Sequence, residues 1–295
     1  MPSVTQSEFG YYPFAMELHA GPVAITTLPG LKEKVAEVSG FDTVDNDWLF
    51  ILPERVRCSE GAGNRMFTLP KTHSITHSSA MGEDHVAFHI WALSFFTGMR
   101  LTTTNAGFAD ATPIRPYKLV DFGIGGKFGK AVELAEAFWS RRAPSSAKLA
   151  EAAIHALFLG QNPRLFQFEE FIYLYTALDA CFALAQSLKP KEERKNHSDR
   201  IGWMCKEFGM TTPPWAEKLP GTRAEVAAIR NPTFHEALFM GEPLGFALHG
   251  IGTNQNLSLE MTALICRLLV VLLGASSTDY VRSPINTRSL HSLDL

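Results

Sequence analysis

The 295-residue sequence lacks the cysteine pairs of a disulfide scaffold or a zinc ribbon. Its four cysteines, Cys58, Cys181, Cys205 and Cys266, are scattered and form no C-x-x-C. They read as reduced, mostly buried thiols of a cytoplasmic protein. Bulk positive charge is absent as well. A formal net charge of −3 argues against a protein that coats nucleic acid through its overall potential, though it leaves room for a local phosphate site. "MPSVTQSEFGYYPF" has neither the basic start nor the apolar run of a secretory leader. The most apolar late stretch, "LSLEMTALICRLLVVLLG", carries Glu260 and Arg267. It reads as a buried helix rather than a membrane span, so no membrane partner is expected. There is no internal repeat, and phosphate loops are missing too. In "DFGIGGKFGK" (Asp121–Lys130) Ile124 stands where a P-loop needs its first glycine, Ala131 replaces the Ser/Thr, and Phe128 replaces the third glycine of a dinucleotide fingerprint. That stretch reads as a linker, and no cofactor is expected.

What is present divides into two halves. Up to Gly125 there are 9 basic and 13 acidic residues (−4), and beyond it 18 and 17 (+1), so the second half is the better host for an anion. Residues 1–125 contain short β-rich pieces bounded by Gly, Pro or Asp, such as "GPVAITTLPG" and "DWLFILPERVRC", and one helical stretch, "EDHVAFHIWALSFFTGMR". This predicts an α+β domain with a mainly antiparallel sheet. Residues 126–285 read as helices: 131–142, 147–159, 168–188, 192–208, 223–230, 232–240 and 257–274. Of these "FEEFIYLYTALDACFALAQSL" is apolar on most of its surface, with Glu169 and Glu170 in its first turn. Residues 286–295 read as a loose tail.

Three groups of residues carry chemistry. His73 and His77 in "HSITH", and His85 and His89 in "HVAFH", are each spaced i, i+4. On a helix such pairs can share a metal, with Glu83 or Asp84 completing a site. The first pair sits in a Ser/Thr-rich stretch unsuited to helix and the second opens an apolar helix, so all four read as core or surface histidines and no metal is expected. The run "KPKEERKNHSDR" reads as a solvated loop. It is also the densest basic segment near the helices, which makes Lys191, Arg194 and Lys195 the expected contacts to an RNA backbone.

The third group is "AAIRNPTFHEAL", Ala227–Leu238. With 15 Arg and 10 His, about 0.5 R-x-x-x-x-H spacings arise by chance, and requiring Asn after the Arg lowers this about thirtyfold. Thr222 and Glu225 fit a capping box that starts a short helix ending near Arg230. Pro232 disfavours helical backbone at Asn231 and suits a first helical position, so Asn231 is expected to cap a second helix. Arg230 and His235 would then flank a helix N-terminus, an anion site that keeps the imidazole neutral.

With its polar residue after the arginine, "IRNPTFHEA" resembles the R-x(4–6)-H signature of the HEPN superfamily. "FIYLYTALDACFALA" is similar to a HEPN core helix whose aromatic face ends in an acidic residue, here Asp179. The resemblance spans about Phe168 to Ser277 and implies an all-α HEPN-like bundle after the α+β domain. It further implies a metal-independent endoribonuclease leaving 2′,3′-cyclic phosphate and 5′-hydroxyl ends, acting as a toxin or anti-phage defence effector. His235 would move the proton, Arg230 would hold the scissile phosphate, and Asn231 would orient either. RNA is the implied substrate, and a homodimer through the helical domain would pair two motifs. The N-terminal domain would hold a ligand or regulator. The alternative within the same family is a non-catalytic dimerisation, ligand-binding or RNA-binding protein.

Overall fold

The computed structural model describes residues 4–41, 43–50, 69–103, 111–189, 195–245, 256–275 and 279–295. The chain is α+β, with antiparallel sheets and a series of helices. It forms two compact units, one of residues 1–147 with 162–164 and Leu295, the other of residues 148–161 and 165–294.

The first unit is built on a four-stranded sheet in the order β1 (Val4–Phe9), β6 (His73–Met81), β3 (Val23–Thr27), β2 (Leu18–Ala20), with every neighbour antiparallel. β2 and β3 are joined by Gly21 and Pro22. Gly21 has φ +59° and proline fixes its own φ near −65°, the combination of a type II′ hairpin turn. Strand alternation buries Val23 and Ile25 and leaves Thr26 exposed. A second hairpin, β4 (Val44–Asp45) and β5 (Trp48–Phe50), turns through Asn46 and Asp47 at φ 48° and 67°, and β7 (Ala111–Pro113) pairs with β5. Asn and Asp tolerate that left-handed backbone better than other side chains.

Following α1 (Leu31–Ser39), helix α2 (Glu83–Thr97) buries 11 of its 15 residues. It ends at Gly98, φ +61°, where an added Cβ would lie 2.7 Å from the Cα of Tyr117. Only glycine meets both demands there. α3 (Phe128–Arg141) packs on α2 and β2 through Ala131, Val132, Ala135 and Phe138. Asp121–Lys130 was expected to be the linker or seam between domains. Instead the division falls at Ala147, within α4 (Pro144–Leu159), because the apolar face of α3 is spent on the first unit's core. Residues 286–294, expected as a loose tail, belong to the second unit, with Leu293 buried.

In the second unit α5 (Gln167–Leu188) packs most extensively on α8 (Leu257–Leu272). α6 (His197–Glu207) and α7 (Glu225–His235) lie against α5 and each other, and α9 (Asp279–Arg282) against α8. Helix α5 has the length and hydropathy of a membrane span, but Phe171, Leu174, Leu178 and Cys181 are buried within the unit. α8 buries 13 of 16 residues, Arg267 among them. That guanidinium donates to the carbonyls of Ala263, Ser283 and Pro284 and to the hydroxyl of Ser283, which is how a buried cation is tolerated.

Candidate functional site

The expected break at Asn231–Pro232 does not occur. Residues 225–235 are one helix, with Pro232 inside it and Ala224 as its N-cap. The Thr222–Glu225 capping box is not formed, since the Thr222 hydroxyl donates to the carbonyl of Leu219. Proline at position 232 forgoes the bond that its N–H would make to the carbonyl four residues back, and packing of Val226, Ala227 and Thr233 carries the helix through. Asn231 therefore caps nothing. His235 lies in the last turn, so the argument that a helix N-terminus keeps its imidazole neutral has no basis here.

Arg230 and His235 nevertheless meet. Arg230 Nη1 donates to Nε2 of His235 at 2.9 Å and to Oδ1 of Asn231 at 3.2 Å. The two residues stand about 140° apart on an ideal helix, and the long arginine side chain closes the gap around the helix end. Arg230 Nε is buried without a hydrogen-bond partner, and among the described residues no carboxylate lies within ion-pair distance of this guanidinium. The guanidinium sits over two aromatic rings, 5.0 Å from the centroid of Phe234 and 6.0 Å from that of Tyr175. His235 is exposed, while Arg230 and Asn231 are half-buried.

Of the groups beside this trio, sequence reasoning singled out only Asp179. The Tyr175 hydroxyl is 2.9 Å from His197 Nδ1, and Arg200 Nη1 donates to Asp179 Oδ1 at 2.7 Å. His197 Nδ1 lies 3.7 Å from the same carboxylate oxygen. Burial pushes the His197 pKa down; Asp179 pulls it up, and Arg200, Arg230 and His235 push it further down. Tyr175 and Asp179 are spaced i, i+4 on α5, and His197 follows Asn196, which caps α6 by accepting from the Ser198 N–H. Those spacings were the available signal, yet they do not say which helices converge. Of the three expected RNA contacts, Lys191 and Arg194 lie outside the described residues. Lys195 is half-buried, and its carbonyl accepts from Arg200 Nε at 3.4 Å. The Arg230–His235 pair thus stands near a group in which His197 and Arg200 face Asp179, giving two guanidiniums that can serve a phosphate.

A cavity of about 530 Å³ lies elsewhere in the second unit, lined by Trp215, Glu225, Glu260, Arg267 and Arg282 among others, and contains none of the Arg230–His235 group.

The four histidines of residues 73–89 divide differently from their sequence pairs. His73 is buried alone, bonded to Thr72 and to the carbonyl of Phe14. His77, on β6, joins His85 and His89 of α2 around Glu136 of α3. The acid is therefore Glu136, from a helix 47 residues beyond His89, rather than the neighbouring Glu83 or Asp84. One donor atom each of His77, His85 and Glu136 lies within 4.8 Å of the others. These residues, expected to be ordinary histidines, are the ones that could hold a metal.

Comparison with protein families, curated proteins and solved structures finds no match to this chain.

Proposed function

We propose that the chain is a metal-independent endoribonuclease of the HEPN type, with the helical second unit as its HEPN-like bundle. The observation that carries this reading is the Arg230 guanidinium, uncompensated by any carboxylate among the described residues and hydrogen-bonded to His235 Nε2 at 2.9 Å. A phosphodiester is the anion that gives both side chains a task. Arg230 binds the scissile phosphate and stabilises the charge that grows on its oxygens. Accepting from Arg230 leaves His235 Nε2 as a lone pair. Once Arg230 turns to the phosphate, that lone pair takes the 2′-hydroxyl proton. The 2′-oxygen then bonds to phosphorus as the 5′-oxygen departs, leaving a 2′,3′-cyclic phosphate and a 5′-hydroxyl. The departing oxygen needs a proton, and one imidazole cannot be base and acid in the same step. A second His235 supplied by a homodimer fills that role, or else His197 of the same chain.

Single-stranded RNA incubated with the full chain in chelator tests the proposal. Cyclic-phosphate ends that disappear in Arg230→Ala and in His235→Ala support it, and full activity in both variants sinks it. His197→Gln separates the acids, because it removes cleavage only if His197, and not a second His235, protonates the departing oxygen.

The second reading is a non-catalytic RNA-binding or dimerisation protein. It is favoured by His235 standing at the carbonyl end of α7, away from the amide groups that would bind an anion. RNA retained by the chain without cleavage, and released by Arg230→Ala, would identify it.

A further inference from the structure

The first unit holds a side-chain cluster that the ribonuclease reading does not use. His77 comes from a strand, His85 and His89 from one turn of α2, and Glu136 from α3. All four point inward: the side chains of His77, His85 and His89 are 6%, 10% and 1% exposed, and that of Glu136 19%. His85 Nε2 and His89 Nε2 each lie 2.9 Å from the same oxygen, Glu136 Oε2, and 3.1 Å from one another. His77 Nε2 is 3.8 Å from the other carboxylate oxygen and has no hydrogen-bond partner, although it is buried.

Hydrogen bonding alone serves this group poorly. If both His85 and His89 donate to Oε2, two N–H groups are forced against each other at 3.1 Å, and the buried His77 nitrogen is still left with nothing. Leaving a buried polar atom unsatisfied costs about 1–3 kcal/mol in general. A cation changes the accounting, because two imidazole nitrogens and a carboxylate turned toward one another are what it requires. Zinc bound at 2.0–2.1 Å by a tetrahedron of nitrogen and oxygen ligands sets its ligand atoms roughly 3.3 Å apart. His85 Nε2 lies 2.9 Å from Glu136 Oε2 and His77 Nε2 3.8 Å from Oε1, and the His77, His85 and Glu136 atoms all fall within 4.8 Å of one another.

The surroundings also suit ligands. His77 Nδ1 is 2.7 Å from the Ser79 carbonyl and 3.1 Å from the Ser79 N–H, contacts that fix the ring and leave Nε2 directed into the cluster. The Ser140 hydroxyl donates to Glu136 Oε1 at 3.2 Å. Trp139 stacks flat on His85, with ring centroids 4.6 Å apart and planes 4° apart, fixing that imidazole's orientation. Outer partners of this kind orient metal ligands.

We infer that His77, His85 and Glu136, with His89 against them, form a binding site for one divalent transition metal, zinc by its donor set. Imidazole and carboxylate without sulfur suit zinc and its first-row neighbours rather than copper(I) or calcium. With ligands from three elements and little solvent access the site is structural, clasping β6, α2 and α3 together. It is independent of Arg230 and His235 and makes no demand on the cleavage chemistry.

The test uses the full chain, purified without a polyhistidine tag, stripped with chelator and dialysed against zinc and then metal-free buffer. About one zinc per chain is expected by mass spectrometry, with a rise in melting temperature. Glu136→Gln and His85→Gln are expected to weaken zinc by roughly 100-fold or more, whereas His19→Gln, on the same sheet outside the cluster, leaves it unchanged. Cobalt(II) loaded into the unaltered chain is expected to show the intense visible bands of tetrahedral coordination, a readout that survives misfolding of a variant. No retained zinc, equal zinc in the variants, or a weak octahedral cobalt spectrum would each overturn the site. Because none of these readouts involves RNA, a failed nuclease assay leaves this result standing, and the reverse holds too.

Discussion

Arg230 Nη1 donates a hydrogen bond to His235 Nε2 across the last turn of one continuous helix, at 2.9 Å. Both side chains are at the unit's surface and neither belongs to the apolar core. Arg230→Ala and His235→Ala are therefore expected to leave circular dichroism and melting temperature nearly unchanged while lowering RNA cleavage by about 10²–10⁴-fold. A melting temperature that drops with activity would mean the pair is structural instead.

His197 is held by Tyr175 at 2.9 Å and faces Asp179. If it delivers the proton to the departing oxygen, His197→Gln lowers the maximal cleavage rate strongly and RNA binding little. Tyr175→Phe, which keeps the ring and removes only the hydroxyl, is expected to have a smaller effect of the same kind. A loss in His197→Gln that appears only in RNA affinity would assign it to binding.

His73 carries a pH dependence of stability. Burial holds its pKa down at about 4, against an ordinary 6.5, with Glu17 pulling it up and Lys34 down. The Tyr12 N–H donates to the Thr72 hydroxyl, which reaches His73 Nδ1, while Nε2 faces the Phe14 carbonyl. Between pH 6.5 and about 4 the unfolded chain binds a proton that the folded one does not. Stability is thus fully present above 6.5 and is lost as pH falls toward 4, by on the order of 1–3 kcal/mol. Urea unfolding at pH 7 and pH 4.5 measures this, and in His73→Gln the difference is expected to shrink by a similar amount. An unchanged difference would place the acid sensitivity elsewhere.

Arg267→Ala would strip the carbonyls of Ala263, Ser283 and Pro284 of their shared donor. A loss on the order of 3 kcal/mol is expected in chemical denaturation. Arg267→Lys, with one point donor in place of a planar fork, is expected to recover only part of it. Wild-type stability in either variant would contradict the role given to this buried cation.

Much of the first unit follows from local rules. Gly21–Pro22 and Asn46–Asp47 specify hairpin turns by backbone chemistry alone, and the apolar periodicity of residues 83–97 specifies a helix. The long helix at 167–188 is legible in the same way. Pro232 was misleading because propensity is a weak force: the buried faces of Val226, Ala227 and Thr233 offset one lost hydrogen bond, and two expected helices became one.

By itself, then, the sequence determined the elements whose cause is near at hand: turns, helix periods, and the Arg230–His235 spacing that drew attention to α7. Tertiary structure alone decided that Glu136, not Glu83 or Asp84, meets the histidines, that His73 is separated from His77, and that His197 and Asp179 stand near Arg230. The reason is physical. Turn and helix preferences act within a few residues, whereas a charged or metal-binding cluster forms wherever packing of distant apolar faces leaves polar side chains pointing at one another.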